Sequence, residues 1–405
     1  MRKYVFIIFS LFALNISAAS VIRQAKEALK KKQNLEQTAK NLLAEAAKEE
    51  TSHDDRVECY VLAAECSQRV YEAQNLKLYL KKKYETVAFY SNILDIFRRL
   101  EKADSIEEWP DEKGRVRLKN RKSSRDVLLP FRPNLLNGGK WFFRKNQMKE
   151  AFNYLDEYVR NGSHPMFERD KLLQNDTLMP STAYLAVVAA NSAQNADGVI
   201  RNAPLAMKAG QKNYLIQEYL SRAYEEKSDT TKWLSSLYDG LRDYTFHGYF
   251  FSHLVDYYLD CQNTDRALEI TDSVISVADT VPLFWYGRSL VLLKQGRDRE
   301  AIDACDSCLY FSPDHVDALY NKGVASLNLA VIYAEQACND PTNPQCIRDQ
   351  EIIRSLYNLA KLPMERVRAL EPDKPQRWAP PLYRIYLNLN MGKQFDEIDQ
   401  ILNKQ

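Results

Sequence analysis

The segment FWYGRSLVLLKQGRDREAIDACDSCLYFSP, residues 284–313, carries the clearest structural signal in this chain. An aromatic residue, Trp285, opens it, Gly296 lies at its centre, the small residue Ala301 follows, and Pro313 closes it. Apolar residues recur at helical spacing on both sides of the glycine. The segment therefore predicts two antiparallel α-helices joined by a tight turn, with a proline where the second helix ends.

The same pattern recurs with a period of 34 residues. A small or medium-sized residue recurs at this spacing late in the second helix of successive repeats, as Ala206, Gly240, Val274 and Cys308. The repeats begin near Pro180, Tyr214, Gly248, Pro282 and Val316. A hairpin that repeats at this period buries its apolar side against the next hairpin. We therefore expect an all-α fold built as a solenoid of stacked helical hairpins.

These residues resemble the tetratricopeptide-repeat (TPR) family, in particular exported bacterial members. The resemblance is clear over residues 180–372 and weaker over 134–165 and 378–402. It implies a right-handed superhelix in which the first helix of each hairpin lines a concave groove that binds a peptide or protein partner. The family has no common enzyme activity, so the resemblance does not name the partner.

The groove positions implied by the resemblance supply the candidate binding residues. They are Tyr184, Arg222, Asp256, Tyr286 and Tyr320. The paired lysines and asparagines with which one TPR subset holds the C-terminal carboxylate of chaperones are missing, which argues against that class. Tyrosines in register can press on an extended peptide or a sugar ring and donate hydrogen bonds. The alternative interpretation is that Tyr286 and Tyr320 pack between adjacent first helices.

Composition agrees with a helical, globular chain. Glycine is scarce, 12 in 405 residues, and none precedes Gly114, which favours long helices in the N-terminal hundred residues. The net charge of +2 favours neither a nucleic acid nor an acidic polymer as partner. A hydrophobic content of 45% is ample for a packed core.

Residues 1–19 predict a secretory signal peptide. Arg2 and Lys3 precede the apolar run Tyr4–Ile16, and the small residues Ser17-Ala18-Ala19 follow. No cysteine follows the run, so a lipoprotein anchor is unsupported. We expect a periplasmic or extracellular protein, soluble after cleavage and without a stable membrane span. An uncleaved membrane anchor is the alternative.

The remainder divides into four regions. Residues 20–104 predict helical hairpins that lack the repeat signature, including a pair that runs from Ser52 to about Tyr71 and from about Leu76 to Leu100. Residues 105–133 predict a basic insert or loop, with helix resuming after Pro130 and Pro133. Within the insert, residues 113–125 hold seven basic residues, interpreted either as a contact for phosphate, lipid headgroup or acidic partner, or as a solvated linker. The TPR-like repeats follow over 134–372, and a capping helix pair over 373–405.

The repeat at 316–372 is enlarged. Its helices should run over Val316–Ala337 and Ile347–Leu370, which makes an elongated, protruding hairpin. Cys338 and Cys346 lie at the tip, between antiparallel helix ends, and predict a disulfide; two free thiols are the alternative.

No catalytic or metal-binding motif occurs. The histidines form no HExxH or paired helical arrangement, and nucleophile-elbow, P-loop and dinucleotide motifs are missing, so we expect no cofactor and no metal. The predicted function is a non-enzymatic protein–protein interaction scaffold or adaptor of the bacterial cell envelope. A carbohydrate- or peptide-binding accessory protein using the groove tyrosines is the alternative, and an enzyme with its site in 105–133 has no supporting motif.

Overall fold

The computed structural model describes residues 17–210, 212–338 and 342–403. These residues form nineteen α-helices and no β-strand, which confirms the predicted all-α fold class. The chain divides into two compact units, residues 1–227 and 228–405. The predicted signal peptide lies outside the described residues except for its last three, and the first helix begins at Ala18.

The described residues of the first unit form ten α-helices and two short 3-10 segments, Pro165–Asp170 and Met207–Ala209. The helices are α1 Ala18–Lys31, α2 Leu35–Ala46, α3 His53–Tyr79, α4 Thr86–Glu107, α5 Arg121–Arg144, α6 Met148–Asn161, α7 Leu172–Asn175, α8 Met179–Ser192, α9 Ala196–Ala206 and α10 Asn213–Glu226. Successive long helices pair as antiparallel hairpins, α3 with α4, α5 with α6 and α8 with α9.

The boundary between α3 and α4 differs from the prediction. The sequence pattern starts the second helix near Leu76, whereas α3 continues to Tyr79 and α4 begins only at Thr86. Helix α3 ends because Lys81 takes a left-handed conformation, with φ of 55°. The apolar residues that suggested a new helix therefore belong to the end of the preceding one.

The prediction of a loop over residues 105–133 is wrong for more than half of these residues. Helix α4 runs to Glu107 and α5 already begins at Arg121, which leaves only residues 108–120 irregular. Pro130 and Pro133 lie inside α5, although each costs about 3 kcal/mol in a helix interior. Packing outweighs this cost because α5 buries Leu128, Leu135, Leu136 and Phe142, at about 1.5–3 kcal/mol for each side chain.

Nine α-helices make up the part of the second unit that the structure describes. They are α11 Thr230–Asp243, α12 Gly248–Asp260, α13 Thr264–Ile275, α14 Pro282–Lys294, α15 Asp298–Phe311, α16 Val316–Gln336, α17 Pro344–Leu370, α18 Pro375–Asn388 and α19 Gly392–Leu402. The first helices α12, α14 and α16 begin at residues 248, 282 and 316, so the predicted 34-residue period is confirmed. The TPR-like hairpins are thus present as expected.

Small residues allow consecutive first helices to approach closely. A Cβ atom built on Gly287 of α14 would lie 2.5 Å from Cζ of Phe251 on α12, so a larger residue would displace the phenyl ring. Asn321 Nδ2 of α16 donates to Ser289 Oγ of α14 at 3.1 Å. Gly287 and Ser289 are therefore positions at which consecutive first helices contact one another.

The enlarged repeat is confirmed. Helices α16 and α17 are 21 and 27 residues long, against 13 and 14 for α14 and α15. The helices of the terminal pair pack on this hairpin and complete its core with four buried side chains, Trp378, Leu382, Ile385 and Tyr386. The turn of the terminal pair is made by Asn390, with φ of 55°, and not by Gly392, which begins α19.

Candidate binding surface

The predicted groove residues are divided between the two units. Tyr184 and Arg222 lie on α8 and α10 of the first unit. Asp256, Tyr286 and Tyr320 lie on α12, α14 and α16, the consecutive first helices of the second unit. Three of the five residues are therefore carried by adjacent hairpins of one compact unit.

Tyr286 is half-buried and is held by the residue that caps the next first helix. Its ring lies 5.1 Å from the imidazole of His315, centroid to centroid, at an interplanar angle of 33°. His315 in turn accepts a hydrogen bond from the backbone N–H of Ala318 at its Nδ1, 3.2 Å away, and so caps α16. One face of the Tyr286 ring is therefore covered by a side chain with a fixed position.

Tyr320 is half-buried and is covered by an arginine of the terminal pair. The Arg377 guanidinium lies 4.7 Å from the centroid of the Tyr320 ring, within the range of a cation–π contact. Asp317 and Glu371 hold this guanidinium, the latter through Nη1 and Oε2 at 3.0 Å. Tyr320 also packs against the core of α16 to α19, so it contributes to packing as well as to the surface.

The second-unit surface combines aromatic rings with charges of both signs. Burial raises the pKa of Tyr286, and the carboxylates of Asp317 and Asp256 raise it further while Arg377 opposes them. The Tyr286 hydroxyl therefore stays protonated at neutral pH, with both carboxylates and the guanidinium close enough to act on it. Such a surface can donate hydrogen bonds to a peptide and pair with charges on it.

In the first unit, the predicted residues are engaged with their own helices. Arg222 forms an ion pair with Glu218, one turn earlier on α10. Tyr184 is half-buried against the core of the unit. Burial raises the pKa of Tyr219, and the nearby Glu218 and Tyr184 raise it further, so these residues lie together. Arg222 is therefore a candidate whose charge is already paired within the protein, as is that of Arg377.

The remaining polar candidates are explained by packing. His253 Nδ1 is 2.8 Å from the backbone carbonyl of Tyr249, and the rings of these two residues lie 3.9 Å apart. Cys305 and Cys308 are fully buried, and burial raises the pKa of their thiols to about 12 and about 11, which keeps them unreactive. Within residues 17–210, 212–338 and 342–403, no group of three or more histidine, cysteine or acidic side chains could hold a metal ion.

The basic segment at 113–125 is tied to carboxylates of its own unit. Arg121 donates two hydrogen bonds of 2.8 Å to Asp104. Arg125 Nε donates to Asp170 at 2.8 Å, and Lys119 Nζ lies 3.1 Å from Asp54. Because these charges are largely paired, the interpretation as a linker is the better supported of the two.

The 34-residue sequence pattern did not identify Arg377 and His315 as residues of the candidate binding surface. His315 precedes a first helix and was outside the groove positions, and Arg377 lies after the enlarged repeat, where the 34-residue spacing is interrupted. The surface combines aromatic and charged side chains because α18, which carries Arg377, packs beside α16, which carries Tyr320. A spacing pattern that allowed for the insertion could have included α18.

No protein-family model and no curated protein matches the chain. The solved structures that it matches include the C-terminal part of a TPR repeat-containing protein from Cytophaga hutchinsonii, at 12% identity and a TM-score of 0.44, over 65% of this chain and 92% of that one. A TPR repeats protein from Bacteroides fragilis is 14% identical, with a TM-score of 0.32 over 67% and 98% of the two chains. A tetratricopeptide repeat protein from Parabacteroides merdae is 15% identical, with a TM-score of 0.35 over 67% and 97%. These values carry no statement about function.

Across the described part of the chain, none of the helices combines the length and the apolar character needed to cross a membrane.

Proposed function

We propose that this protein is a non-enzymatic adaptor that binds a peptide or protein partner through the first-helix surface of its second unit. The observation that carries the proposal is the alignment of Asp256, Tyr286 and Tyr320 on consecutive first helices, beside the guanidinium of Arg377. Rigid, half-buried tyrosines next to charges of both signs are typical of protein-binding surfaces.

The partner is a segment with both apolar and charged side chains. Tyr286 and Tyr320 offer apolar edges and hydroxyl donors, while Asp256 and Arg377 offer opposite charges. A sugar ring is less well served, because His315 and Arg377 already cover one face of each tyrosine ring. Export to the bacterial cell envelope is part of the proposal, and it rests on the signal-like residues 1–19.

A site-specific crosslink tests the surface directly. A photoreactive phenylalanine analogue at position 286 should give a discrete adduct in intact cells of the source bacterium. The matched control is position 310, because Tyr310 is 81% exposed on α15, the second helix of the same repeat. The same adducts at both positions, or none at 286, would contradict the proposal.

An arginine variant separates recognition from folding. Arg377→Ala removes the charge above Tyr320, and we expect the adduct at position 286 to fall at least about tenfold, the usual effect of losing a binding contact of about 1.4 kcal/mol. The control Arg354→Ala changes an arginine of α17 and should leave the adduct unchanged. The helical content and melting temperature of both variants should stay close to those of the parent. An unchanged adduct yield in Arg377→Ala would show that Arg377 takes no part in binding the partner.

A further inference from the structure

The C-terminal end of α3, which we call the α3 tip (residues 75–83), is unusually apolar for an exposed segment. All nine of its residues are exposed. Four of them are large and apolar, with exposed fractions of 58% for Leu76, 41% for Leu78, 83% for Tyr79 and 51% for Leu80. Val87, at the start of α4, adds a fifth at 57%. A patch of this kind on a soluble surface marks a site of interaction.

The apolar side chains of the α3 tip do not share one face. Successive residues of an α-helix are rotated by about 100°, so Leu78, Tyr79 and Leu80 point in three different directions. Leu76 lies one turn before Leu80, so including it does not confine the apolar side chains to one side of the helix. A rigid protein groove would contact only part of this arrangement. A fluid apolar medium can surround the whole tip, as the interface of a lipid bilayer does.

Lysines surround the apolar residues. The α3 tip itself contains Lys77 and the run Lys81–Lys83. A second run, Lys30–Lys32, ends α1. Lys32 and Leu76 line the same cleft, of about 700 Å³, so the two runs lie at the same end of the unit.

This positive charge is not paired with carboxylates, although Glu36 and Glu72 line the same cleft. Seven lysines are concerned, namely Lys30–Lys32, Lys77 and Lys81–Lys83. In the described part of the chain, none of them forms an ion pair. The segments 30–34 and 75–85 contain a single acidic residue, Glu85. In the basic segment at 113–125, by contrast, Arg115, Arg121 and Arg125 are each paired with a carboxylate.

We propose that the α3 tip docks on the surface of an anionic phospholipid bilayer. Leu76, Leu78, Tyr79 and Leu80 enter the interface between headgroups and acyl chains, and Tyr79 places its hydroxyl at headgroup level. The lysines contact the anionic headgroups around the point of insertion. An acidic protein or a nucleic acid would satisfy the lysines alone and would leave the apolar side chains unexplained.

This inference uses a different surface from the proposed binding function. The tip belongs to the first unit, whereas Tyr286, Tyr320 and Arg377 belong to the second. A failure of one proposal therefore leaves the other untouched.

Flotation with lipid vesicles tests the proposal on the full chain. Vesicles of phosphatidylcholine alone are compared with vesicles that contain about one third phosphatidylglycerol. The parent protein should float with the anionic vesicles and much less with the neutral ones. The variant Lys81→Glu/Lys82→Glu/Lys83→Glu should bind the anionic vesicles at least about a hundredfold more weakly, because each lysine near such a surface contributes about fivefold.

Two further variants complete the test. Tyr79→Ser/Leu80→Ser removes apolar area without changing charge and should weaken binding about tenfold or more. The matched control, Lys208→Glu/Lys294→Glu/Lys393→Glu, makes the same change in net charge at exposed lysines elsewhere and should bind like the parent. All variants share one N-terminus, so differences between them report on the positions changed.

Three results would overturn the proposal. In the first, the control variant loses as much binding as the tip variant, which would make the attraction a property of overall charge. In the second, Tyr79→Ser/Leu80→Ser binds like the parent, which would leave a purely electrostatic contact of the kind an acidic protein or nucleic acid makes. In the third, the parent shows no preference for anionic vesicles.

Discussion

The guanidinium of Arg377 lies 4.7 Å from the ring centroid of Tyr320 and is held by Asp317 and Glu371. The sequence pattern correctly assigned Tyr320 to a first helix of the second unit, because a 34-residue spacing specifies which residues occupy equivalent positions. It could not identify the arginine above the ring, because that contact joins residues that are 57 positions apart across an insertion. The candidate surface was therefore only partly predictable at the residue scale.

Glu101 is a second residue whose environment only the packing of helices created. It is 5% exposed on α4, and Glu157 on α6 lies beside it. Burial, followed by the charge of Glu157, raises the pKa of Glu101 well above its usual range, although Arg160 opposes the shift. Arg160 Nη2 donates to Glu101 Oε2 at 3.2 Å, and Asn161 donates to the other oxygen.

The raised pKa of Glu101 predicts a specific pH dependence. Folding favours the protonated form, so this contribution to stability is present below pH 4.5, the ordinary value, and is lost as the pH rises toward the raised pKa. Glu101→Gln keeps a neutral side chain of the same shape, so its stability relative to the parent should increase between about pH 5 and about pH 9. Urea unfolding at several pH values measures this difference.

A surface variant controls for the general effect of removing a carboxylate. Glu27→Gln changes an exposed residue of α1 and should follow the parent at every pH. If Glu101→Gln also followed the parent, the carboxyl would be ionised in the folded protein and our account of its environment would be wrong.

At the scale of elements, most helices were predictable and their limits in the first unit were not. Periodic apolar residues identified α12 to α19 because each of these helices repeats a common pattern of contacts. The first half of helix α5 was missed because Pro130 and Pro133 indicate a break by local rules, whereas burial of Leu128 and Leu135 keeps the helix intact. The end of α3 was missed because apolar residues normally indicate a buried helix, and at the α3 tip they are exposed.

Cys338 follows the end of α16 and Cys346 lies in the first turn of α17, and a disulfide between them stays a prediction. Asn343 caps α17 by accepting from the backbone N–H of Gln345 at 2.9 Å. Asp349 Oδ2 accepts a hydrogen bond from the backbone N–H of Cys338 at 3.0 Å. This bond ties Cys338, which follows the end of α16, to α17. We expect the bridge in protein exported to an oxidising compartment, with a contribution of about 2–3 kcal/mol.

Alkylation under denaturing conditions counts the thiols. The chain has seven cysteines, so the bridged protein should take up five alkyl groups without reductant and seven after reduction. Cys338→Ser leaves six cysteines and should take up six groups in both conditions. Seven groups on the unreduced parent protein would show that the two thiols are not bonded.

At the scale of the whole molecule, the two compact units predict local rather than global effects of truncation. Removal of residues 375–405 takes away Trp378, Leu382, Ile385 and Tyr386, all of which are buried against α16 and α17. At about 1.5–3 kcal/mol for each side chain, we expect the unfolding temperature of the second unit to fall by at least about 10 °C.

Hydrogen exchange locates the effect of this truncation. Protection should be lost in α16 and α17, because hairpins in a repeat array depend mainly on their neighbours. Protection in α3 to α6 of the first unit should stay unchanged. Removal of residues 403–405 alone is the control and should change neither unit, whereas equal losses in both units would mean that the chain unfolds as one cooperative body.

The sequence by itself determined the all-α class, the 34-residue period, the enlarged hairpin and the placement of Tyr286 and Tyr320 on first helices. These features are local or periodic, so spacing and side-chain volume are enough to specify them. Only the tertiary structure decided that α5 is continuous, that Glu101 is buried beside Glu157, that Arg377 covers Tyr320, and that the apolar end of α3 is exposed among lysines. Each of these depends on which residues lie next to one another in space, where burial and charge outweigh local preference.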